Sequence, residues 1–439
     1  MKGKWCICLC ILLTLLCVAA GGAAEDAAAN VLLPEMFMTD DGLYRYFVRD
    51  DGTAEINGSN LKDAEVIIPS TVNGLTVTRI SQLASSSNTY VTSLVVPSTV
   101  TEIGERAFSS CTKLQSVVLP DSVTVIGKEA FARCRALTDV TLPAGLTALG
   151  EKAFSYCDVL TALVIPDSVT EIGQGAFYNC TSLASVTLPA RLTAVPANLF
   201  DGCLNLTEIR LPAGVTEIGM NAFSTCRALT SVTLPEGLTV IDDSAFYSCS
   251  NLAQITFPES LTAIGKEAFA YCRKLPAVIL PGQVASIGRA AFAYCNGLTE
   301  VDLPEGLTAI PQEAFLYCES LQGIVLPDSV TEIGASAFAS CYSLASLELP
   351  DRVVAIGDDA FYSCGALTEV ILPDGVTTLG AGVFRFCPEL ASASLPASLE
   401  TIGSNVFYGC SKKLNVTVKK GAYAETYCKQ QKLKTTAID

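Results

Sequence analysis

LQGIVLPDSVTEIGASAFASC, residues 321–341, decides the fold because its landmark residues return every 23 positions. Fourteen copies occupy residues 89–410 without insertion or deletion. An internal period of this length predicts stacked copies around one continuous core, rather than two or three globular domains. The register is marked by Cys111, Cys134, Cys157, Cys180, Cys203, Cys226, Cys249, Cys272, Cys295, Cys318, Cys341, Cys364, Cys387 and Cys410.

Each copy begins with L-x-x-V-x-L, as in Leu229, Val232 and Leu234. The last two apolar residues alternate, which is typical of a strand with one buried face. A proline follows in every copy and cannot donate a ladder hydrogen bond, so it should end the strand. A polar pair such as Asp328 and Ser329 then completes the corner.

The second half of each copy reads V-x-x-I-G and then A-F-x-x-C. The first motif predicts another short inward-facing strand, and its glycine permits unusual backbone angles. Positive φ is not obligatory there, since Pro196, Asp242 and Pro311 replace the glycine. We expect the second motif to form a helical turn that carries a phenylalanine and a thiol inward. The predicted structural core includes Phe246, Phe269, Cys249 and Cys272.

The cysteines are predicted to be buried free thiols, although nineteen cysteines in an exported chain would ordinarily suggest disulfides. Equivalent residues in stacked copies point the same way, about 4.8 Å apart, whereas a disulfide needs Cβ atoms turned toward each other. Buried thiols of this kind act as small hydrophobic groups. Cys428 lies outside the repeats and is expected to be exposed.

The ends of the chain differ from the repeats. Residues 1–24 combine Lys2 and Lys4, an apolar run and small residues, as a secretory signal does. A lipoprotein signal with Cys17 as the lipidated residue is the alternative, which Leu16 disfavours because such sites have a small side chain there. Residues 25–88 are predicted to be a leader and N-terminal β cap, with a hairpin at 44–56, and residues 411–439 a C-terminal cap with helical character at 422–431.

The charge argues against two classes of partner. The formal net charge is −16, and removal of a signal that carries Lys2 and Lys4 would make it −18. Nucleic acids and anionic membrane surfaces both require a basic face, so neither is an expected partner. No second apolar segment approaches the ~20 residues that span a bilayer.

The units LTSVTLPEGLTVI (229–241) and DSVTEIGASAFASC (328–341) resemble the BspA-like, or Treponema pallidum type, leucine-rich repeat family. The end segments VNGLTVTRI (72–80) and GAYAETY (421–427) resemble that family's caps. The resemblance implies a right-handed solenoid of about fourteen 23-residue repeats, with short parallel strands, helical turns and two caps. It also implies export, a place at the cell surface, and adhesion to host, matrix or neighbouring-cell proteins.

The sequence offers no catalytic constellation. It has no histidine, which removes histidine-based triads and His zinc ligands. No C-x-x-C pair is present and no P-loop or G-x-G-x-x-G follows a strand. We therefore predict a protein that is not an enzyme and uses no cofactor and no metal.

Two rows of varying residues are candidate partner-binding sites. The first lies one residue before the end of L-x-x-V-x-L and contains Arg210, Asp302 and Glu348 among β-branched residues, which ordinary strand propensity also explains. The second lies just before the cysteine. It contains Tyr271, Tyr294 and Tyr317, which serve either as binding residues or as packing over the repeat edges.

The predicted function is therefore that of an exported, non-enzymatic interaction or adhesion protein. Its expected partner is a protein or glycan at a cell surface, bound along the solenoid by a monomer. Its expected location is secreted or at the cell surface, after signal removal. The alternative is a structural surface spacer without a discrete ligand, favoured by uniform rows of small residues and threonine.

Overall fold

The computed structural model describes residues 35–81 and 88–439, so the predicted signal and most of the predicted leader lie outside the described residues. The described chain forms a parallel β-solenoid of about sixteen turns. The leucine-rich repeat solenoid is thus confirmed, but the predicted count of about fourteen is low. The difference arises because segments beside the intact repeats add strands in register with them.

The N-terminal segment folds as the hairpin pattern predicted. Its strands β2 and β3 are antiparallel, and β3 then pairs in parallel with β6 to begin the solenoid. A second hairpin joins β5 and β6 across Asn73 and Gly74, both at positive φ. The strands are β1 (Met36–Met38), β2 (Tyr44–Val48), β3 (Ala54–Ser59), β4 (Glu65–Ile67), β5 (Thr71–Val72) and β6 (Leu75–Ile80).

Each repeat contributes two short strands. They pair in parallel with the equivalent strands of a neighbouring repeat, so paired residues are 23 positions apart, as Val125 and Ala148 are. The first strands are β7 (Ser93–Val95), β9 (Ser116–Val118), β11 (Asp139–Val140), β13 (Ala162–Val164), β15 (Ser185–Thr187), β17 (Glu208–Arg210), β19 (Ser231–Thr233), β21 (Gln254–Ile255), β23 (Ala277–Ile279), β25 (Glu300–Asp302), β27 (Gly323–Val325), β29 (Ser346–Glu348), β31 (Glu369–Ile371) and β33 (Ser392–Leu395). The second strands are β8 (Glu102–Ile103), β10 (Val125–Ile126), β12 (Ala148–Leu149), β14 (Glu171–Ile172), β16 (Ala194–Val195), β18 (Glu217–Ile218), β20 (Val240–Ile241), β22 (Ala263–Ile264), β24 (Ser286–Ile287), β26 (Ala309–Ile310), β28 (Glu332–Ile333), β30 (Ala355–Ile356), β32 (Thr378–Leu379) and β34 (Thr401–Ile402).

The C-terminal segment continues the column of first strands. Strand β35 (Asn415–Lys419) pairs with β33, and β36 (Lys434–Ile438) pairs with β35. Helix α1 (Tyr423–Gln430) lies between them, within the segment that has helical character. The prediction that Cys428 is exposed is wrong, because α1 turns this residue inward and leaves it fully buried.

The A-F-x-x-C motif forms successive tight turns rather than the predicted helical turn. Two residues in every repeat, four apart, have positive φ, as Arg106 and Ser110 do in the first copy. Their N–H groups donate to the carbonyl oxygens of Lys128 and Ala132 in the next copy. A helix would direct these groups along its own axis, whereas the left-handed residues turn them toward the neighbouring copy. The described residues contain one α-helix, α1.

The glycine of V-x-x-I-G is favoured because adjacent copies pack closely there, and not because the backbone has positive φ. Gly173 and Gly288, for example, are absent from the positive-φ residues of the described chain. A Cβ atom on Gly288 would lie 2.3 Å from the amide nitrogen of Lys266 in the preceding copy. The glycine therefore lets adjacent copies approach at this corner.

The core is a column of phenylalanines, one from each repeat. Twelve of them, including the predicted Phe246 and Phe269, are fully buried. Phe246 stacks on Phe223 and Phe269 with centroid distances of 5.2 Å on both sides. The stacking continues from Phe108 to Phe407, so the column links every intact repeat.

The repeat cysteines form a second column of free thiols, as predicted. From Cys134 onward each thiol donates to the carbonyl oxygen of the preceding copy's phenylalanine, as Cys249 does to Phe223 at 3.1 Å and Cys272 to Phe246 at 3.2 Å. Burial raises the pKa of both thiols well above the ordinary value. Cys249 and Cys272 are therefore protonated, hydrogen-bonded core residues.

Candidate binding surface

The outward residues of the first strands form one exposed line, which we call the strand row. The pairing register places Ile67 beside Val95 and Val95 beside Val118, and the same register continues through later copies. These residues alternate in the strand with buried ones, which is why their side chains face away from the core. The row runs through Ile67, Val95, Val118, Thr141, Val164, Thr187, Arg210, Thr233, Thr256, Ile279, Asp302, Val325, Glu348 and Ile371.

Large aliphatic side chains in the strand row are unusually open to solvent. Ile67 is 75% exposed, Val325 is 73% exposed and Val164 is 66% exposed. The strand position two residues earlier carries many small residues, such as Ser116 and Gly323, so little covers the aliphatic groups from that side. Exposed apolar groups that recur along one line, between threonine and charged residues, make this row a candidate interaction surface.

The three charged residues predicted in this row are all exposed. Asp302 and Glu348 alternate with Ile279, Val325 and Ile371, so the C-terminal part of the strand row presents apolar and acidic groups in turn. Arg210 stands apart from them. It lines a shallow cleft of about 670 Å³ with Leu211, Pro212 and Thr233.

The predicted tyrosines Tyr271, Tyr294 and Tyr317 form a stacked ladder. Tyr294 lies 4.4 Å from Tyr271 and 4.9 Å from Tyr317, measured between ring centroids, with nearly parallel rings. Burial, together with the neighbouring tyrosines, raises the pKa of Tyr294. Both faces of Tyr294 are therefore occupied by protein. The ladder also packs over Ala270 and Ala293. These contacts agree with the packing role that was the alternative to binding.

A second set of tyrosines on the A-F-x-x-C turns was not predicted from the sequence. Tyr178, Tyr247 and Tyr362 lie two residues before the cysteine, and they contact the predicted row edge-on, as Tyr247 contacts Tyr271 at 5.3 Å. The signal was present as tyrosine recurring in the same motif position. The two positions meet between successive copies, as Tyr247 meets Tyr271, and the motif of a single copy does not show this contact.

A sequence model of the BspA type leucine rich repeat region matches residues 78–207, 193–322 and 308–432. The chain belongs to the BspA type leucine-rich repeat family. Among solved structures, this family member is similar to a leucine-rich repeat protein from Bacteroides ovatus, with 31% identity and a TM-score of 0.71 over 92% of this chain and 100% of that one.

Two further solved structures are similar in fold to this BspA type protein. A leucine rich cell surface protein from Faecalibacterium prausnitzii is 29% identical, with a TM-score of 0.53 over 80% of this chain and 95% of that one. The pneumococcal vaccine antigen PcpA shares the fold, at 17% identity and a TM-score of 0.52 over 93% of this chain and 99% of that one. The comparison with curated proteins found no match.

The described part of this BspA type chain has neither a cluster of metal ligands nor a membrane-spanning helix. No group of three or more cysteine, aspartate or glutamate residues there is arranged to hold a metal ion. No helix in residues 35–81 and 88–439 is long and apolar enough to cross a membrane. The strand row and the aromatic residues of the A-F-x-x-C turns are two surfaces whose side chains vary from copy to copy.

Proposed function

We propose that this chain is an exported, non-enzymatic protein of the cell surface that binds another protein along the strand row. The observation that carries the proposal is the line of solvent-exposed aliphatic side chains, with Ile279, Val325 and Ile371 at 54%, 73% and 62% exposure. Large exposed aliphatic groups that share one line of the solenoid are candidates for a binding surface. A cell-surface relative, 29% identical, supports the location.

The chemistry of the row indicates the kind of partner. Asp302 and Glu348 stand between the aliphatic residues, Glu300 lies two positions before Asp302 on β25, and Glu369 lies two positions before Ile371 on β31. A partner that fits would present apolar side chains flanked by lysine or arginine. Because exposed charges are screened by salt, association with such a partner should slow as ionic strength rises.

The test is a threonine replacement of the row. The triple variant Ile279→Thr, Val325→Thr, Ile371→Thr introduces the residue that other copies already carry at Thr187, Thr233 and other places. Threonine keeps β-branching, so the strands should be preserved while the apolar contacts are lost. Capture of purified host-matrix and bacterial surface proteins, measured by surface plasmon resonance, should weaken by about tenfold or more.

The matched control is Val354→Thr, which alters an exposed aliphatic residue outside the strand row. It should leave capture unchanged. Equal binding by the triple variant and the unchanged chain would contradict the proposed surface.

A structural spacer is the second candidate, and one observation favours it. Threonines of successive copies donate to the preceding copy's carbonyl, as Thr147 does to Thr124 at 3.0 Å and Thr262 to Thr239 at 3.0 Å. These hydroxyls strengthen the stack rather than face a ligand. If the unchanged chain captures no protein in the same assay, the spacer becomes the better account.

A further inference from the structure

A cleft of about 760 Å³ opens over the A-F-x-x-C turns of the first copies, on a different side of each turn from the strand row. We call it the turn cleft. Small side chains from three successive copies, Ser109, Ala132 and Ser155, lie at its base, and the next copy places Tyr178 in the same motif position. Its size falls within the range of ~300 to 1,000 Å³ that is typical of small-ligand sites.

The opening depends on Gly175. In the neighbouring copies Lys152 and Asn198 occupy the same position, and all three residues have positive φ. A Cβ atom on Gly175 would lie 3.4 Å from Cγ of Lys152 and 3.4 Å from Cβ of Tyr178. A larger side chain here would extend into the space between them. The glycine therefore keeps the cleft accessible beside the tyrosine.

The same cleft is closed in later copies. There Ala270 and Ala293 take the places of Ala132 and Ser155. The rings of Tyr271 and Tyr294 pack over these alanines. The turn cleft is thus a local feature of the first copies rather than a general property of the repeat.

Arg133 supplies a positive charge that the other lining residues do not neutralise. Arg106 is paired with Glu129 at 2.7 Å, and Lys152 with Glu151 at 3.3 Å. Within residues 35–81 and 88–439, no carboxylate lies within ion-pair distance of Arg133. The exposed guanidinium instead lies 5.7 Å from the ring centroid of Tyr156. A planar guanidinium in this setting favours a carboxylate through two parallel hydrogen bonds.

The backbone around the cleft is already used by the solenoid. Arg106 donates its N–H to Lys128, Glu129 to Glu151, and Arg133 to Ser155. An extended peptide would need free backbone groups for strand addition, and these residues do not offer them. Recognition therefore falls to side chains: serine hydroxyls, the amides of Gln174 and Asn198, and tyrosine rings. That set matches a ligand with many hydroxyl groups.

We infer that the turn cleft binds a saccharide that carries a carboxylate. Arg133 holds the carboxylate, Tyr156 and Tyr178 contact the sugar ring, and the serine and amide groups bind its hydroxyls. The site is separate from the strand row and does not depend on the proposed protein partner.

The experiment uses the chain from residue 25 to 439 and isothermal titration calorimetry with two probes. One is an oligosaccharide that ends in glucuronic acid, and the other is the same oligosaccharide ending in glucose. We expect binding of the first and little or none of the second. Arg133→Asn should weaken binding of the acidic probe by about tenfold or more, because a charged hydrogen-bonding group is lost. Asn179 occupies the same left-handed position two copies further on, so asparagine suits this backbone.

Two further variants test whether the loss of saccharide binding comes from the cleft itself rather than from a general effect of charge or folding. Arg227→Gln removes an exposed arginine outside the cleft and should leave binding unchanged. Tyr156→Asn should weaken binding while preserving the thermal unfolding midpoint within a few degrees. The inference is overturned if Arg133→Asn binds the acidic probe as the unchanged chain does, or if both probes bind equally. It is also overturned if neither saccharide binds.

Discussion

At the scale of the residue, the phenylalanine of A-F-x-x-C has one role throughout the chain. Phe246 is fully buried and stacks on a phenylalanine above and below it. A buried ring in this arrangement contributes apolar area and two ring contacts, and no nearby side chain can replace both. The large, repeated residue of the motif is thus structural.

Phe246→Ala should lower the free energy of unfolding by about 3 to 5 kcal/mol, because it removes a buried ring and leaves a cavity in the column. Urea denaturation followed by circular dichroism would measure the change. Tyr90→Ala is the control, since Tyr90 is more than half exposed, and it should alter stability by no more than about 0.5 kcal/mol. An unchanged unfolding midpoint for Phe246→Ala would contradict the assignment of this column as the core.

At the scale of the element, the two glycines of one repeat have opposite expected effects. Gly288 faces the backbone of the preceding copy, whereas Gly282, in the corner between Pro281 and the second strand β24, has no atom within 4 Å of where a Cβ would lie. Neither residue has positive φ. The contrast therefore separates close packing from backbone conformation.

Gly288→Ala should destabilise the chain by about 1 to 3 kcal/mol, because the methyl group would force adjacent copies apart. Gly282→Ala should be neutral or stabilising by up to about 1 kcal/mol, because it only reduces the freedom of the unfolded chain. Paired denaturation curves would compare them. Copies with Pro196, Asp242 and Pro311 accommodate a Cβ at the Gly288 position, so we expect Gly288→Ala to fold. Equal stability of the two variants would refute the packing role.

The elements that could be predicted from the sequence are those that a pattern of apolar residues determines. The two strands, the corner proline, the phenylalanine column and the free thiols all follow from side-chain type and period. The turn after the second strand does not, because residues as different as Arg106, Tyr156 and Asn179 share positive φ there. Serine, asparagine and glycine recur in these positions, which was the available signal. The turn cleft was missed because it depends on residues brought together by that backbone.

At the scale of the whole molecule, the thiol column couples stability to alkaline pH. Burial raises the pKa of Cys111, Cys295 and Cys341 to about 12, from an ordinary value of 9.0. Below pH 9 these thiols are protonated in both the folded and the unfolded chain, so their contribution to stability is fully present. Between about pH 9 and 12 the unfolded chain releases protons that the folded chain retains, so that contribution is lost as pH rises.

The loss should reach about 1.4 kcal/mol per pH unit for each of these three thiols once the pH is above 9. Because a solenoid adds the contributions of its copies, the three thiols together should lower the stability of the chain as the pH rises toward 12. Cys341→Ala tests one member, whose thiol donates to the carbonyl of Phe315 at 3.3 Å. Urea unfolding of both chains would be measured from pH 8 to 10.5. Subtracting one free energy of unfolding from the other cancels the titration of every group that the two chains share. The difference between them should change by about 2 kcal/mol over that range. Parallel pH profiles would show that this thiol titrates alike in the folded and unfolded chains, and the column would then have no part in alkaline unfolding.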